Sequence, residues 1–244
     1  MNKKQLIVAW VITLTLQFSI PDLAYFENYP PHSTKDGPYR HLEAKPIIGC
    51  LVQGEENQFS KGSIFAEIDS SEKGVFFILK DSKLVLTEKK RGWVPFPDYV
   101  YWVDLNNDGL KDFIIFYSYR GVGLAASNDR VEIFLKKNNK EYQKISYDVM
   151  SVGLEDFVDL NKDGKYEIII TDLYSGSKHN YFTYSIYEIK DYKLFNADSK
   201  FKGFPKFIWL TDKPNDKDTS HLTVEERQKH VEEKNKSIGY EIIK

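Results

Sequence analysis

From Pro46 onward, short apolar or alternating runs recur along the chain. They lie at residues 62–68, 74–79, 84–87, 99–103, 113–119, 131–135, 142–147, 168–171, 181–189 and 207–210. The runs are rich in Val, Ile, Tyr and Phe, which suit a pleated, half-buried surface. Turn-forming residues separate them. Asn138-Asn139, between the runs at 131–135 and 142–147, predicts a hairpin. Many short strands with turn signals predict an all-β fold, either propeller-like or a compact β-repeat array. This β-repeat domain is expected to span residues 46–210.

The flanking segments have other patterns. Residues 25–45 hold Pro30, Pro31, Gly37 and Pro38 and predict an extended lead-in. Residues 211–218 are polar and predict a linker. Thr223-Val224-Glu225-Glu226 has capping-box spacing: the Thr hydroxyl accepts from a free backbone N–H and Glu226 reaches back. A helix from about Val224 to Lys236 is predicted. It is charged nearly all round, so it is expected on the surface. Residues 211–244 thus read as a polar linker and a charged helix.

At the other end, Lys3 and Lys4 precede an apolar run at residues 6–20, broken by Thr13, Thr15, Gln17 and Ser19. Fifteen residues fall short of the about 20 that a membrane span needs and match the about 7–15 of a signal-peptide core. Pro21 ends the run and Ala24 offers a small residue for cleavage. Residues 1–24 therefore predict an export signal and a secreted or periplasmic protein. No stable transmembrane span is expected after processing; an uncleaved anchor is the alternative. Ile47-Ile48-Gly49-Cys50 resembles a lipoprotein box but lies far beyond the apolar run, so a buried or free thiol is expected.

Composition narrows the partners. The chain has 34 Lys+Arg against 36 Asp+Glu, a formal net charge of -2. A nucleic-acid binder usually carries a basic excess, so no nucleic acid is expected. Cys50 is the sole cysteine, which excludes an internal disulfide and a CxxC pair.

One segment occurs twice, 55 residues apart. Residues 103–115 and 158–170 both read V-D-L-N-x-D-G-x-x-[DE]-[FI]-I-I. A repeat of this period points to a supersecondary unit used more than once. Side-chain oxygens at the first, third and fifth positions of a tight loop converge on one point. Gly at the sixth permits the turn, the seventh offers its carbonyl, and an acid at the ninth closes the set. Such hard oxygen donors suit Ca²⁺, which takes about 6–8 of them. The first set is Asp104, Asn106, Asp108, the Leu110 carbonyl and Asp112; the second is Asp159, Asn161, Asp163, the Lys165 carbonyl and Glu167. No His or Cys is among them, so Zn²⁺ and Cu²⁺ are disfavoured. An EF-hand needs Glu at the twelfth position and flanking helices. Ile115 and Ile170 stand there, and the residues after each loop favour strands. Two bound calcium ions would turn the formal -2 into about +2.

These residues resemble the calcium loops of the FG-GAP and VCBS repeat families, found in integrin-α-like β-propellers and many exported bacterial proteins. The resemblance covers residues 99–189. It implies a loop joining two strands of a blade, with Asp104, Asn106, Asp108 and Asp112, and separately Asp159, Asn161, Asp163 and Glu167, as calcium ligands. No literal Phe-Gly-Gly-Ala-Pro segment is present. With 24 residues removed, the remaining 220 hold at most four 55-residue units. A partial or compact array is therefore expected rather than a closed seven-bladed propeller.

Other patterns carry less. Asp69-Ser70-Ser71-Glu72-Lys73-Gly74 places Lys73 and Phe77 where acids should stand, so a turn without metal is expected. Gly121-Val122-Gly123-Leu124-Ala125-Ala126 fits a dinucleotide fingerprint but lacks the following helix. Trp93, Tyr99, Tyr101 and Trp102 could stack on sugars, but in a strand-rich chain core or cross-strand pairing is the stronger expectation. No G-x-S-x-G or H-E-x-x-H occurs and no catalytic residue is assigned. The expected function is an exported calcium-binding module for adhesion or binding at the envelope, taking a protein or glycan ligand. The alternative is a calcium-stabilised exported hydrolase or an enzyme's accessory subunit.

Overall fold

The computed structural model describes residues 40–48, 56–61, 64–71, 74–81, 84–90, 96–118, 129–150, 152–176, 180–209 and 222–244. The export-signal segment, Cys50, Trp93, residues 121–128 and residues 211–221 lie outside them. Among the described residues no helix is long and apolar enough to cross a membrane.

The chain is mainly β, built of antiparallel sheets, with one α-helix, near the C-terminus, among the described residues. Three four-stranded meanders follow one another. The first comprises β2 (Glu56–Lys61), β3 (Ile64–Ser71), β4 (Gly74–Asp81) and β5 (Leu84–Lys90). The second comprises β6 (Phe96–Val103), β7 (Asp112–Ser118), β8 (Asp129–Asn138) and β9 (Glu141–Val149). The third comprises β10 (Phe157–Asp159), β11 (Glu167–Ser175), β12 (Asn180–Lys190) and β13 (Lys193–Asn196). β1 (Arg40–His41) pairs with β10, and β14 (Lys206–Trp209) pairs with β12. All ten apolar runs overlap strands. The hairpin expected at Asn138-Asn139 is β8–β9. Of the weak third loop, Ser71 pairs with Gly74, which is a tight hairpin; Glu72 and Lys73 lie outside the described residues.

The continuous apolar runs of β7 and β11 follow from burial on both faces. Ile114 and Phe116 of β7 share one core with Ile168 and Ile170 of β11, joined by Val131, Ile133, Ile145, Tyr147 and Phe157. The opposite face of β7 buries Phe113, Ile115 and Tyr117, against which Phe59 of β2 packs. The opposite face of β11 buries Ile169 with Val158, Tyr184 and Ile186. Truncating one such isoleucine to Ala costs about 2–5 kcal/mol. Asp81, at the end of β4, accepts from the Tyr142 hydroxyl at 2.6 Å and pairs with Lys136 of β8. That ion pair ties the first meander to the second.

Residues 40–48 and 222–244 stitch the second and third meanders together. After β1, the Leu42 amide donates to the Phe157 carbonyl, and Ile48 bridges to Val100 of β6. At the other end α1 (Val224–Ser237) carries the expected capping box: the Glu226 amide donates to Thr223 Oγ1 at 3.1 Å, and the Thr223 amide to Glu226 Oε2 at 2.9 Å. None of its residues is buried, as its charge pattern predicts. The tail does not end with this helix, however. β15 (Gly239–Ile243) adds to the edge of β9 over five registered pairs, and Ile238 enters the shared core. Lys234 pairs with Asp172 of β11 at 2.9 Å and donates to the Asp148 carbonyl of β9, so the helix straddles two sheets.

Candidate functional site

The two duplicated loops occupy equivalent places. Loop one joins β6 to β7, and loop two joins β10 to β11, the first and second strands of their meanders. The ninth-position acids, Asp112 and Glu167, are the first residues of β7 and β11.

Backbone and side chains repeat position by position. The fourth residues, Asn107 and Lys162, have φ of 56° and 63°; the sixth, Gly109 and Gly164, have 83° and 85°. Left-handed backbone is strained for a residue such as lysine and natural for glycine. The first-position acids hold this shape. Asp104 Oδ1 accepts from the Asp108 amide at 3.2 Å and Oδ2 from the Gly109 amide at 2.9 Å. Asp159 does the same with Asp163 at 3.0 Å and Gly164 at 3.1 Å. Asn106 and Asn161 accept from Asp108 and Asp163 at 3.3 and 2.9 Å. Asp108 and Asp163 accept from the amides of Leu110 and Lys165 at 2.8 and 2.9 Å.

The ninth-position acids close each loop. Asp112 Oδ2 accepts from the Leu105 amide at 2.9 Å, and Glu167 Oε2 from the Leu160 amide at 2.8 Å. Asp112 Oδ1 also accepts from the Lys136 amide of β8 at 2.9 Å; Glu167 Oε1 instead accepts from Asn161 Nδ2 at 3.0 Å. Asp112 is fully buried and Glu167 is 3% exposed. Burial first, then the charges of Asp108 and Asp104, push Asp112 up to about 7 against the pull of its two backbone hydrogen bonds. Burial, then Asp163 and Asp159, push Glu167 up to about 7. Neither has a basic side chain paired with it among the described residues. Each loop thus crowds three carboxylates and the third-position side-chain amide into nine residues, held by N–H donors and without a basic side chain paired to the buried acid. That is a fit for a hard dication.

The fit has a qualification in geometry. Among the described residues no group of three or more His, Cys, Asp and Glu side chains stands ready to hold a metal ion. The oxygens are turned to backbone N–H groups. Each carboxylate oxygen still has a second lone pair, so the same acids can serve both amides and an ion. All ten sequence-predicted positions fall within the two loops, five in each.

The loops also meet each other, which the spacing did not reveal. The Tyr166 amide of loop two donates to the Leu105 carbonyl of loop one at 3.2 Å. A Cβ on Gly164 would stand 2.8 Å from Asn107 Nδ2, so that amide lies directly on the glycine.

Another buried acid, Asp156, precedes β10. It is 7% exposed and accepts from the Gly153 amide at 2.9 Å. Burial above all, and Glu155 beside it, push it up to about 8. Its only sequence signal is an acid followed by the apolar pair Phe157-Val158. A carboxyl raised by folding contributes stability below its unfolded value near 3.9 and loses it as pH rises through about 8. Wild-type melting temperature should therefore fall between about pH 4 and 8, levelling off above, and Asp156→Asn should flatten that fall. Calorimetry across this range checks it; parallel profiles would contradict it.

Of the sugar-stacking candidates among the described residues, Tyr99, Tyr101 and Trp102 all lie on β6 and only Tyr101 is a core residue. Tyr101 is 7% exposed, packs on Phe116 at 5.3 Å, and is pushed up to about 12 mainly by burial. Tyr99 is exposed, 6.1 Å from Tyr101, and Trp102 is half-buried. Of the histidines, His230 lies between Tyr174 and Phe207, with Nε2 3.0 Å from Thr183 Oγ1. No protein-family model, curated protein or solved structure matches the chain.

Proposed function

We propose that this is an exported calcium-binding β-repeat protein, a binding or adhesion module of the envelope or cell surface in which calcium is structural. The observation that carries the reading is the pair of loops with one shared pattern, each placing a buried acid without a basic partner at the start of a core strand. The FG-GAP/VCBS resemblance implies such a loop between two strands of a blade. Both loops join the first two strands of a four-stranded meander, and we read the three meanders as units of a propeller-like array. Export rests on the Lys3-Lys4 pair and the apolar run at 6–20. The partner class is a protein or glycan.

Calcium would be held by Asp104, Asn106, Asp108, the Leu110 carbonyl and Asp112, and by Asp159, Asn161, Asp163, the Lys165 carbonyl and Glu167. Its chemistry there is countercharge for clustered carboxylates. The chain's own residues do the rest: Asp104 and Asp159 hold the turn, and Asp112 and Glu167 anchor it to β7 and β11. Extracellular calcium modules bind at about 10⁻⁴–10⁻³ M, where the ion is abundant. Isothermal titration of metal-free protein should show saturable uptake in this range, abolished in Asp104→Ala/Asp159→Ala. Uptake unchanged in the double variant would overturn the reading.

A further inference from the structure

We propose that the two loops take up calcium as a coupled pair, each ion raising the affinity of the other loop through the Leu105–Tyr166 hydrogen bond and the Asn107–Gly164 contact. This rests on the calcium reading above and adds how the two sites depend on each other.

The coupling runs through one peptide group. The Lys165 carbonyl is the seventh-position oxygen of loop two. It belongs to the same planar peptide as the Tyr166 N–H, which donates to the Leu105 carbonyl of loop one. The orientation of that carbonyl is therefore set by where loop one holds Leu105. Loop one in turn holds Leu105 by its amide, bound to the ninth-position acid Asp112 at 2.9 Å. The continuous path is Asp112, the Leu105 backbone, the Lys165–Tyr166 peptide, then Glu167 at the start of β11.

A second contact locks the same two turns. Asn107 occupies the left-handed fourth position of loop one and lays its amide on Gly164, the left-handed sixth position of loop two. A side chain larger than hydrogen at residue 164 would displace Asn107. An ion that orders one loop therefore orders the surface on which the other turns. The second ion meets a loop whose conformational entropy has already been lost, so it binds more tightly. Repulsion between two dications opposes this. Bulk salt near 0.15 M, with a screening length of about 8 Å, weakens that repulsion.

The test is calcium calorimetry at that salt on four proteins: wild type, Asp104→Asn/Asp108→Asn, Asp159→Asn/Asp163→Asn, and Asn107→Gly. The two double variants each leave one loop intact. Coupling predicts that each intact loop binds calcium more weakly than the same loop in filled wild type, by the same factor for both, about fivefold or more. Asn107→Gly keeps every ligand and suits the positive φ, so it should retain two ions while losing part of that factor. A wild-type isotherm equal to the sum of the two single-loop isotherms would overturn the coupling and leave the calcium reading standing. No uptake by any of the four would overturn both.

Discussion

Calcium at a hundred times its dissociation constant should raise the melting temperature of the metal-free protein by roughly 10 °C or more. An ion that binds only the folded chain stabilises it by about 2.7 kcal/mol at that excess, and two loops double this. For a domain of this size each kcal/mol is worth about 2–4 °C. The structural cause is the crowding around Asp112 and Glu167. Without a cation, both carboxyls are buried beside two more acids and are pushed up to about 7. Bound calcium would replace that repulsion with attraction and would release protons in the process. Asp104→Ala or Asp159→Ala alone should remove more than half of the gain, because the remaining loop also binds more weakly without its coupled partner. Differential scanning calorimetry with chelator and with calcium checks it; equal midpoints in the two conditions would contradict it.

Removing residues 222–244 should lower the melting temperature by a comparable amount or leave the chain insoluble. The segment looks dispensable in sequence, because its helix is polar all round. In the structure it contributes a fifth strand to the β6–β9 sheet, with Tyr240 opposite Ile145 and Gly239 opposite Ser146. Ile238 is 7% exposed within the core shared by the second and third meanders, and Leu222 packs with Tyr181 and Phe207. Loss of β15 would also open β9 as an edge, which invites pairing with other chains. Ile238→Ala isolates the packing contribution and should cost about 2–5 kcal/mol. Chemical denaturation of the point variant and melting of the truncated chain measure both. A truncated chain that melts with the full-length protein would show that the tail is an appendage.

Long strands buried on both faces, β7 and β11, were legible. The runs at 113–119 and 168–171 are nearly all apolar because β7 and β11 face each other across one core, while Phe59 of β2 packs on the far side of β7 and Ala197, Phe201 and Phe204 pack on the far side of β11. β2, β10, β13 and β15 were not legible. Glu56–Lys61 is mostly polar, Phe157–Asp159 is three residues long, and Gly239–Ile243 exists as a strand because β9 offers it hydrogen bonds. β1 has two residues and owes its form to β10. These are tertiary effects that local periodicity does not encode.

The candidate site divides in the same way. The residue types and spacing of both loops were plain, since a tight turn needs Gly at the sixth position and acids around it. The strain at Lys162 was not, because nothing in a lysine announces a positive φ. Nor was the meeting of Asn107 with Gly164, which depends on how two sheets stack. Asp156 differs little from other acids in sequence, and what raises it, burial above all, is a product of the fold.

Native mass spectrometry in calcium measures the central claim most directly, because it counts ions per chain. Two ions are expected on wild type, one on Asp104→Ala/Asp108→Ala, one on Asp159→Ala/Asp163→Ala, and none when all four substitutions are combined. A wild-type spectrum without bound calcium under saturating conditions, or two ions retained by the fourfold variant, would contradict the account.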